Sequence, residues 1–145
     1  MKNLLTFFRE NDKFADHSGI ELLEISEGRA KAVMKIKKHH LNAVGIVHGG
    51  AIFTLADFVF AAASNSHGTV AMAINVSISY LKAANKGSLF AEAIEASVNP
   101  KLASYTVNVT DEQGNLVAIF QGMVYRKKDT RFTWRIRRLL SNMKA

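Results

Sequence analysis

The sequence contains no cysteine and only one proline, Pro100, among its 145 residues. The absence of cysteine excludes disulfides, thiolate metal ligands and a cysteine nucleophile. The single proline and the lack of low-complexity segments argue against long disordered regions. A nucleophilic serine lacks its usual setting, because no G-x-S-x-G segment occurs. What the chain does contain is 48% hydrophobic and 21% charged residues, a composition typical of one globular domain.

The net charge of +7 arises at the C-terminal end of the chain. Residues 126–145 hold eight basic side chains and one acidic side chain, whereas the 11 basic and 11 acidic side chains of residues 1–125 cancel. A nucleic-acid-binding surface over the whole domain is therefore not predicted, and no nucleic-acid partner is expected.

The last 17 residues, 129–145, predict a basic amphipathic tail outside the domain. Its apolar residues recur at the spacing of one helical face: Phe132, Ile136, Leu139, Leu140 and Met143. A helix of about three turns is too short to be stable alone in water. We therefore expect the tail to pack on the domain or a neighbouring subunit, or to make a weak contact with an anionic membrane surface.

The other end of the chain, residues 1–14, predicts a short helix over residues 3–9 that lies on the domain. Its apolar stretch is too short, and too soon interrupted by charge, for a secretory signal peptide. We therefore expect a cytoplasmic protein whose domain spans residues 1–128.

Alternation of apolar and polar residues predicts six strands, which are separated by turns rich in glycine, asparagine and aspartate. The strands cover residues 20–26, 29–38, 69–81, 87–98, 102–110 and 116–126. Between the second and third strands, residues 43–63 are apolar except for His48 and Asp57. A membrane span is one interpretation of that run, but the cluster Gly45, Gly49 and Gly50 and the central Asp57 argue against it. The pattern instead predicts a buried helix from about His48 to Ser66, wrapped by an antiparallel sheet in an α+β fold.

The glycine-bearing loop before this helix is the first candidate for chemistry. A helix N-terminus offers free backbone N–H groups and a positive dipole end, which stabilise developing negative charge. Asp57 lies about two and a half turns along the helix from His48. A lone carboxylate on an apolar helix is costly unless it is paired or belongs to a site, so both a loop-capping role and a catalytic role stay open. His48 taken alone favours a structural role over a catalytic one. No zinc site is predicted, because the His39, His40 and His48 run lacks a further ligand at the usual spacing.

The run from Asn42 to Asp57 reads N-x-x-G-x-x-H-G-G-x-x-x-x-L-x-D. It resembles the signature of the hotdog-fold thioesterases of the phenylacetic-acid-degradation PaaI type, and the resemblance extends over roughly residues 15–127. It implies an α+β hotdog fold, in which an antiparallel sheet wraps one long central helix. It also implies hydrolysis of acyl-CoA without a cofactor, by a homodimer or homotetramer whose sites lie at the dimer interface.

The resemblance also implies roles for single residues. Asp57 would act as general base or nucleophile, opposite the Gly49 loop of the partner subunit. The backbone N–H of Gly49 would polarise the thioester carbonyl, while His48 and Asn42 would hold the loop and orient the thioester or water. Further substrate contacts are expected from Gly50 and from Asn75, since many members carry Ser or Thr near the position of Ala73.

We also expect a group of basic side chains at strand ends and turns to lie near the mouth of the site and contact the CoA phosphates. The group consists of Lys82, Lys86, Arg126, Lys127 and Lys128. A solvated surface without a ligand is the competing interpretation for all five.

Three other functions remain compatible with the sequence. A hotdog protein that binds acyl-CoA without cleaving it needs the apolar tunnel but no carboxylate in it. Hydration or dehydration of an acyl thioester, in another branch of the superfamily, uses a differently spaced Asp and His. A protein that acts through its tail on nucleic acid or a membrane surface would bind in a salt-dependent manner that is lost on deletion of residues 129–145.

Overall fold

The computed structural model describes residues 2–128, 137–138 and 141–142, and in these ranges one six-stranded antiparallel sheet wraps around a long helix. The helices are α1 (Lys2–Asn11), α2 (Lys13–His17) and α3 (Gly49–Ser64), and a 3-10 turn covers Lys38–His40. The strands are β1 (Ile20–Ser26), β2 (Arg29–Lys35), β3 (Ala71–Tyr80), β4 (Ser88–Val98), β5 (Leu102–Thr110) and β6 (Leu116–Arg126). All six predicted strands and the predicted central helix are confirmed, and the α+β architecture with them.

The sheet has the order β1-β2-β4-β5-β6-β3, with every neighbouring pair antiparallel. Its concave face packs on α3, whose side chains are buried along most of the helix, as expected for an element that is apolar nearly all round. The alternation of β2 and β5 is obeyed, because Ala30, Ala32 and Met34, and Tyr105, Val107 and Val109, are all buried. The long helix therefore forms the centre of the core.

Strand β3 departs from the expected half-buried pattern. Among the described residues it is an edge strand that pairs only with β6, and its register shifts between Ala73 and Asn75. Only two of the four apolar residues expected to point inward do so. Val76 and Ile78 pack against the core, but Ile74 is 56% exposed and Tyr80 is 51% exposed. The bulge turns Ile74 out of the alternation. An edge strand with exposed apolar side chains is available for pairing with another chain.

The N-terminal segment forms two helices rather than one. Helix α1 confirms the expected helix over residues 3–9 and is longer, and α2 follows after Asp12. The ring of Phe8 packs edge-on against Phe58 of α3, with 6.2 Å between centroids, and Leu4 and Ala15 are buried in the core. The segment is thereby anchored on α3 beside Asp57.

No helix among the described residues has the length and apolar character needed to cross a membrane. The predicted amphipathic tail helix lies outside the described residues, except for the short stretches 137–138 and 141–142.

Candidate active site at the start of the central helix

The loop before α3 is closed by Asn42. Its Oδ1 accepts hydrogen bonds from the backbone N–H groups of Val44 (3.0 Å) and Ile46 (3.3 Å). Gly45 completes the turn with a φ of 81°, a conformation that L side chains rarely adopt. Asn42 thus holds the loop by two hydrogen bonds, a contact that the family resemblance implied, and the N–H of Val47 ties the loop to the carbonyl of Ala84 at 2.7 Å.

His48 caps the helix. Its Nδ1 accepts a hydrogen bond from the N–H of Gly50 at 2.8 Å. A neutral imidazole whose Nδ1 accepts must carry its proton on Nε2, so His48 presents an N–H donor at the exposed start of α3. The N–H of Gly49, the first helical residue, meets no acceptor in the part of the chain that the structure describes. The helix start therefore offers two donors of the kind that an oxyanion requires.

Tyr80 joins the end of β3 to this helix start, a contact that sequence reasoning missed. Its hydroxyl donates a hydrogen bond of 3.0 Å to the carbonyl oxygen of Gly49. The alternation of β3 marks Tyr80 as an apolar-face residue, and no sequence signal indicates a polar partner 31 residues away.

Asp57 is half-buried on α3, and its carboxylate makes no hydrogen bond to any residue that the structure describes. The loop-capping interpretation is therefore not supported. Burial raises the pKa of Asp57 above its ordinary value of 3.8, and the negative charge of Asp12 raises it further. A half-buried carboxylate with a raised pKa and no partner is a candidate general base.

Asp12 is the second residue that sequence reasoning missed. Its Oδ1 caps α2 by accepting a hydrogen bond from the N–H of Ala15 at 3.0 Å. The spacing of Asp12 in the sequence predicts such a cap at most, since only the packing of the N-terminal segment on α3 brings the two carboxyls together.

One chain does not bring Gly49 and Asp57 into one site. They are eight residues apart on the same helix, which corresponds to about 12 Å at 1.5 Å per residue. A donor and a base that act on the same carbonyl must lie within a few ångströms of it. Within one chain, Gly49 and Asp57 are therefore too far apart to act on the same carbonyl.

The basic residues expected near CoA fall at two ends of the chain's sheet. Lys82 and Lys86 lie in the loop of residues 81–87, whose Ala84 contacts Val47 beside the helix start. Lys82 also donates to Asp111 at 2.7 Å, which lowers the pKa of Asp111 to about 2.

Arg126 and Lys127 lie at the opposite end of β3. Arg126 pairs with Ala71, and the N–H of Lys127 donates to the carbonyl of Val70. This end is about 30 Å from Tyr80 along the strand, at 3.3 Å per residue. Lys128 follows them and is exposed.

Asn75 lies on the outer face of the sheet, away from α3. It lines a shallow groove of about 450 Å³ together with Ser77, Ser104 and Gln121. Within one chain this position does not bring Asn75 to the helix start.

A second polar cluster surrounds Glu95, near the C-terminal end of α3. Its Oε2 lies 2.6 Å from both Nε2 of His67 and the hydroxyl of Tyr105. Burial alone would raise the pKa of Glu95, but hydrogen bonds from Tyr105 and His67, and the charges of His67 and Arg126, outweigh it and lower the pKa. Burial and the bond to Glu95 raise the pKa of Tyr105. The cluster ties the turn after α3, which holds His67, to β4 and β5. Across the described part of the chain, no group of His, Asp and Glu is arranged to hold a metal ion.

Comparison with known proteins gives one consistent result. Residues 44–118 match the family described as the thioesterase superfamily. A protein of Archaeoglobus fulgidus, provisionally named an esterase, is 48% identical over 83% of this chain and 79% of its own length. The acyl-coenzyme A thioesterase PaaI of Escherichia coli K12 is 34% identical over 81% of this chain and 84% of its own length. The solved structure of the E. coli PaaI protein superposes with a TM-score of 0.83 at 32% identity, covering 86% of this chain and 91% of that one.

Proposed function

The chain belongs to the thioesterase superfamily, and we propose that it hydrolyses acyl-CoA thioesters to the free acid and CoA. It has the hotdog fold that the sequence predicted, and it is a thioester hydrolase. The substrate class rests on the similarity to acyl-coenzyme A thioesterase PaaI, and the observation that carries the mechanism is the half-buried carboxylate of Asp57. It lies without a hydrogen-bond partner on an apolar helix, inside the segment that matches the family.

The active unit is a dimer, because the site needs Asp57 from one chain and Gly49 from another. The exposed edge of β3 supplies the surface, with Met72 and Ile74 more than half exposed. Pairing of the two β3 strands would continue the sheet from one chain into the next. A further association into a tetramer is compatible with the exposed apolar residues of the outer sheet face, which include Phe90, Ile94, Met123 and Tyr125.

The contacts within one chain suggest the register of that pairing. Gly49 lies level with Tyr80, whose hydroxyl donates to the carbonyl oxygen of Gly49. Asn65 lies level with Ala71, because Oδ1 of Asn65 accepts a hydrogen bond of 3.0 Å from the N–H of Ala71. Asp57 is midway between them and hence level with the middle of β3, near residues 75–76. Antiparallel pairing around residues 77–78 would bring this middle opposite Tyr80 of the partner subunit. Asp57 would then be level with Gly49 of the partner subunit.

The same register brings the basic residues together. It places Ala71 of the partner subunit, and with it that subunit's Arg126 and Lys127, beside residues 81–87. The loop holds Lys82 and Lys86, so positive charge from two chains would surround one entrance. Such an entrance suits the phosphates of CoA. Because strand pairing keeps the two faces of the sheet, Asn75 would stay on the outer face, away from both Asp57 and the partner's Gly49.

Hydrolysis would proceed with Asp57 as general base or as nucleophile. In the first case Asp57 takes a proton from water, whose oxygen adds to the thioester carbonyl carbon. The N–H of Gly49 stabilises the oxyanion, aided by the dipole of α3. Collapse of this intermediate breaks the carbon–sulfur bond, and the CoA thiolate takes up a proton.

In the second case, the carboxylate of Asp57 itself adds to the carbonyl carbon and expels CoA. Water then cleaves the resulting anhydride. Both routes use the N–H of Gly49 as a hydrogen-bond donor. The Nε2–H of His48 is a second donor, available to the thioester or to water beside Gly50. Asn42 contributes by holding the loop that precedes them.

The test is a panel of aromatic, short-chain and long-chain acyl-CoA substrates with release of free thiol as readout. Because the chain has no cysteine, a thiol reagent reports CoA alone. Saturable hydrolysis of at least one class supports the proposal. Tight binding of acyl-CoA with no thiol release would favour the alternative, a non-catalytic acyl-CoA-binding protein that acts as a sensor or regulator.

A further inference from the structure

The peptide unit between Gly49 and Gly50 is held at both of its polar ends. Its N–H, on Gly50, donates to Nδ1 of His48 at 2.8 Å. Its carbonyl oxygen, on Gly49, accepts from the hydroxyl of Tyr80 at 3.0 Å. A peptide plane fixed by two hydrogen bonds on opposite sides cannot turn freely, and it directly follows the N–H of Gly49 in the chain.

We propose that Tyr80 is a positioning residue for the reaction, which holds the first turn of α3 so that the N–H of Gly49 points at the thioester oxygen. The inference rests on the proposed function, because it concerns the donor that the mechanism assigns to Gly49. Tyr80 acts on the backbone through its hydroxyl and does not itself take part in bond making or breaking.

The surroundings of Tyr80 argue against a purely structural role. The side chain is 51% exposed, so its ring contributes little to the core. Its hydroxyl nonetheless makes a hydrogen bond of good length to a helix start that offers free donors. A hydrogen bond from a tyrosine hydroxyl to an exposed backbone carbonyl adds little to the stability of the fold, because water can donate to the same carbonyl.

The glycine at position 49 permits this contact. A Cβ at that position would lie 3.1 Å from both Cζ and the hydroxyl oxygen of Tyr80, tighter than nine in ten real contacts of this kind. With a side chain at residue 49, the ring would have to move away from the helix start by a few tenths of an ångström. The residue that carries the free N–H is thus also the one whose missing side chain leaves room for the tyrosine.

Tyr80 also connects the donor to the edge strand. It is the last residue of β3, the strand that the proposed dimer pairs. A bond from that residue to the helix start fixes the position of the Gly49 donor relative to the strand that brings in the carboxylate of the partner subunit. The distance between the N–H of Gly49 and the carboxylate of the partner subunit would thereby be fixed.

The test compares Tyr80→Phe with Tyr125→Phe, a matched loss of a hydroxyl from a tyrosine of similar exposure on β6. Loss of a whole oxyanion donor costs about 10²–10³ in kcat. A donor that is present but misaligned should cost less, so we expect kcat to fall about tenfold with KM within about twofold for Tyr80→Phe. Tyr125→Phe should match the unmodified protein.

A spectroscopic readout separates positioning from a general loss of structure. The ligand is the acyl-CoA with the highest kcat/KM in the panel, labelled with ¹³C at its carbonyl and bound to the Asp57→Asn protein. Polarisation by Gly49 lowers the carbonyl stretching frequency. Adding Tyr80→Phe should move this frequency back towards its value in free acyl-CoA, whereas adding Tyr125→Phe should leave it unchanged.

The outcomes are distinct. If Tyr80→Phe matches Tyr125→Phe in kcat, or lowers kcat without moving the carbonyl frequency, the positioning role is wrong while the thioesterase proposal stands. If the unmodified protein hydrolyses no acyl-CoA in the panel, it is the proposed function that fails.

Discussion

Asp12 places a second negative charge beside Asp57, and this charge opposes the ionisation of Asp57. The two residues come from distant parts of the chain and meet because α1 and α2 pack on α3, with Phe8 against Phe58. The N-terminal segment therefore has a direct electrostatic effect on the candidate base.

The charge of Asp12 beside Asp57 predicts how kcat/KM depends on pH. Because the pKa of Asp57 is raised, its basic form is lost at a higher pH than for an ordinary aspartate, and the acid limb of kcat/KM should lie above 3.8. Asp12→Asn keeps an N-cap of similar quality and removes the charge, so the limb should move to lower pH. Asp16→Asn, a neighbouring exposed aspartate in α2, is the control. Equal profiles for the two variants would rule out the coupling.

Replacing the candidate base itself should abolish turnover. Asp57→Asn should lower kcat by at least about 10²-fold, since general-base catalysis contributes that much. The same substitution should not destabilise the fold. The pKa is higher in the folded than in the unfolded chain, so the ionised carboxylate destabilises the fold at neutral pH. Thermal melting should therefore show a variant no less stable than the original, and near-normal kcat would exclude the mechanism.

The dimer edge can be tested by cross-linking, because the chain has no cysteine of its own. Ser77→Cys lies beside the proposed centre of the β3 pairing, where the two copies come within about 8 Å of each other, in reach of a short bifunctional thiol cross-linker. Ser26→Cys, on the exposed end of β1 at the other edge of the sheet, is the matched control. A covalent dimer from Ser26→Cys but not from Ser77→Cys would show that the wrong edge was chosen.

The Glu95 cluster predicts a loss of stability in acid. The folded pKa of Glu95 is lowered below its ordinary value of 4.5, so its stabilising effect is present above that value and is lost as the pH falls through the folded pKa. Glu95→Gln should lower the melting temperature at neutral pH and flatten its decline as the pH falls below 4.5. Glu92→Gln, on the same strand, should retain the decline. A decline unchanged by Glu95→Gln would mean that other carboxyls cause it.

The basic tail gives the last prediction. If residues 129–145 dock on an anionic membrane, the full-length protein should sediment with anionic vesicles at low salt, and truncation after Lys128 should abolish this. If the tail packs on the domain or a neighbouring subunit, vesicles should not bind. Truncation should then lower the melting temperature or break the oligomer.

The sequence by itself determined the elements and the motif. Strand alternation, the apolar helix and the glycine-bearing turn before it are local patterns, and residues close in sequence decide them. That is why all six strands and α3 fall where the periodicity predicts. The loop-holding role of Asn42 and the cap by His48 are also local, since their hydrogen bonds span four residues or fewer.

Only the tertiary structure decided what surrounds the candidate site. The order of strands leaves β3 at an edge, and this exposes Ile74 and Tyr80, which the alternation alone assigns to a buried face. The contact of Tyr80 with Gly49 and the charge of Asp12 beside Asp57 depend on the packing of segments far apart in sequence. Periodicity records which face of an element is apolar but not which neighbour that face meets, so such long-range pairs appear only when the chain is folded.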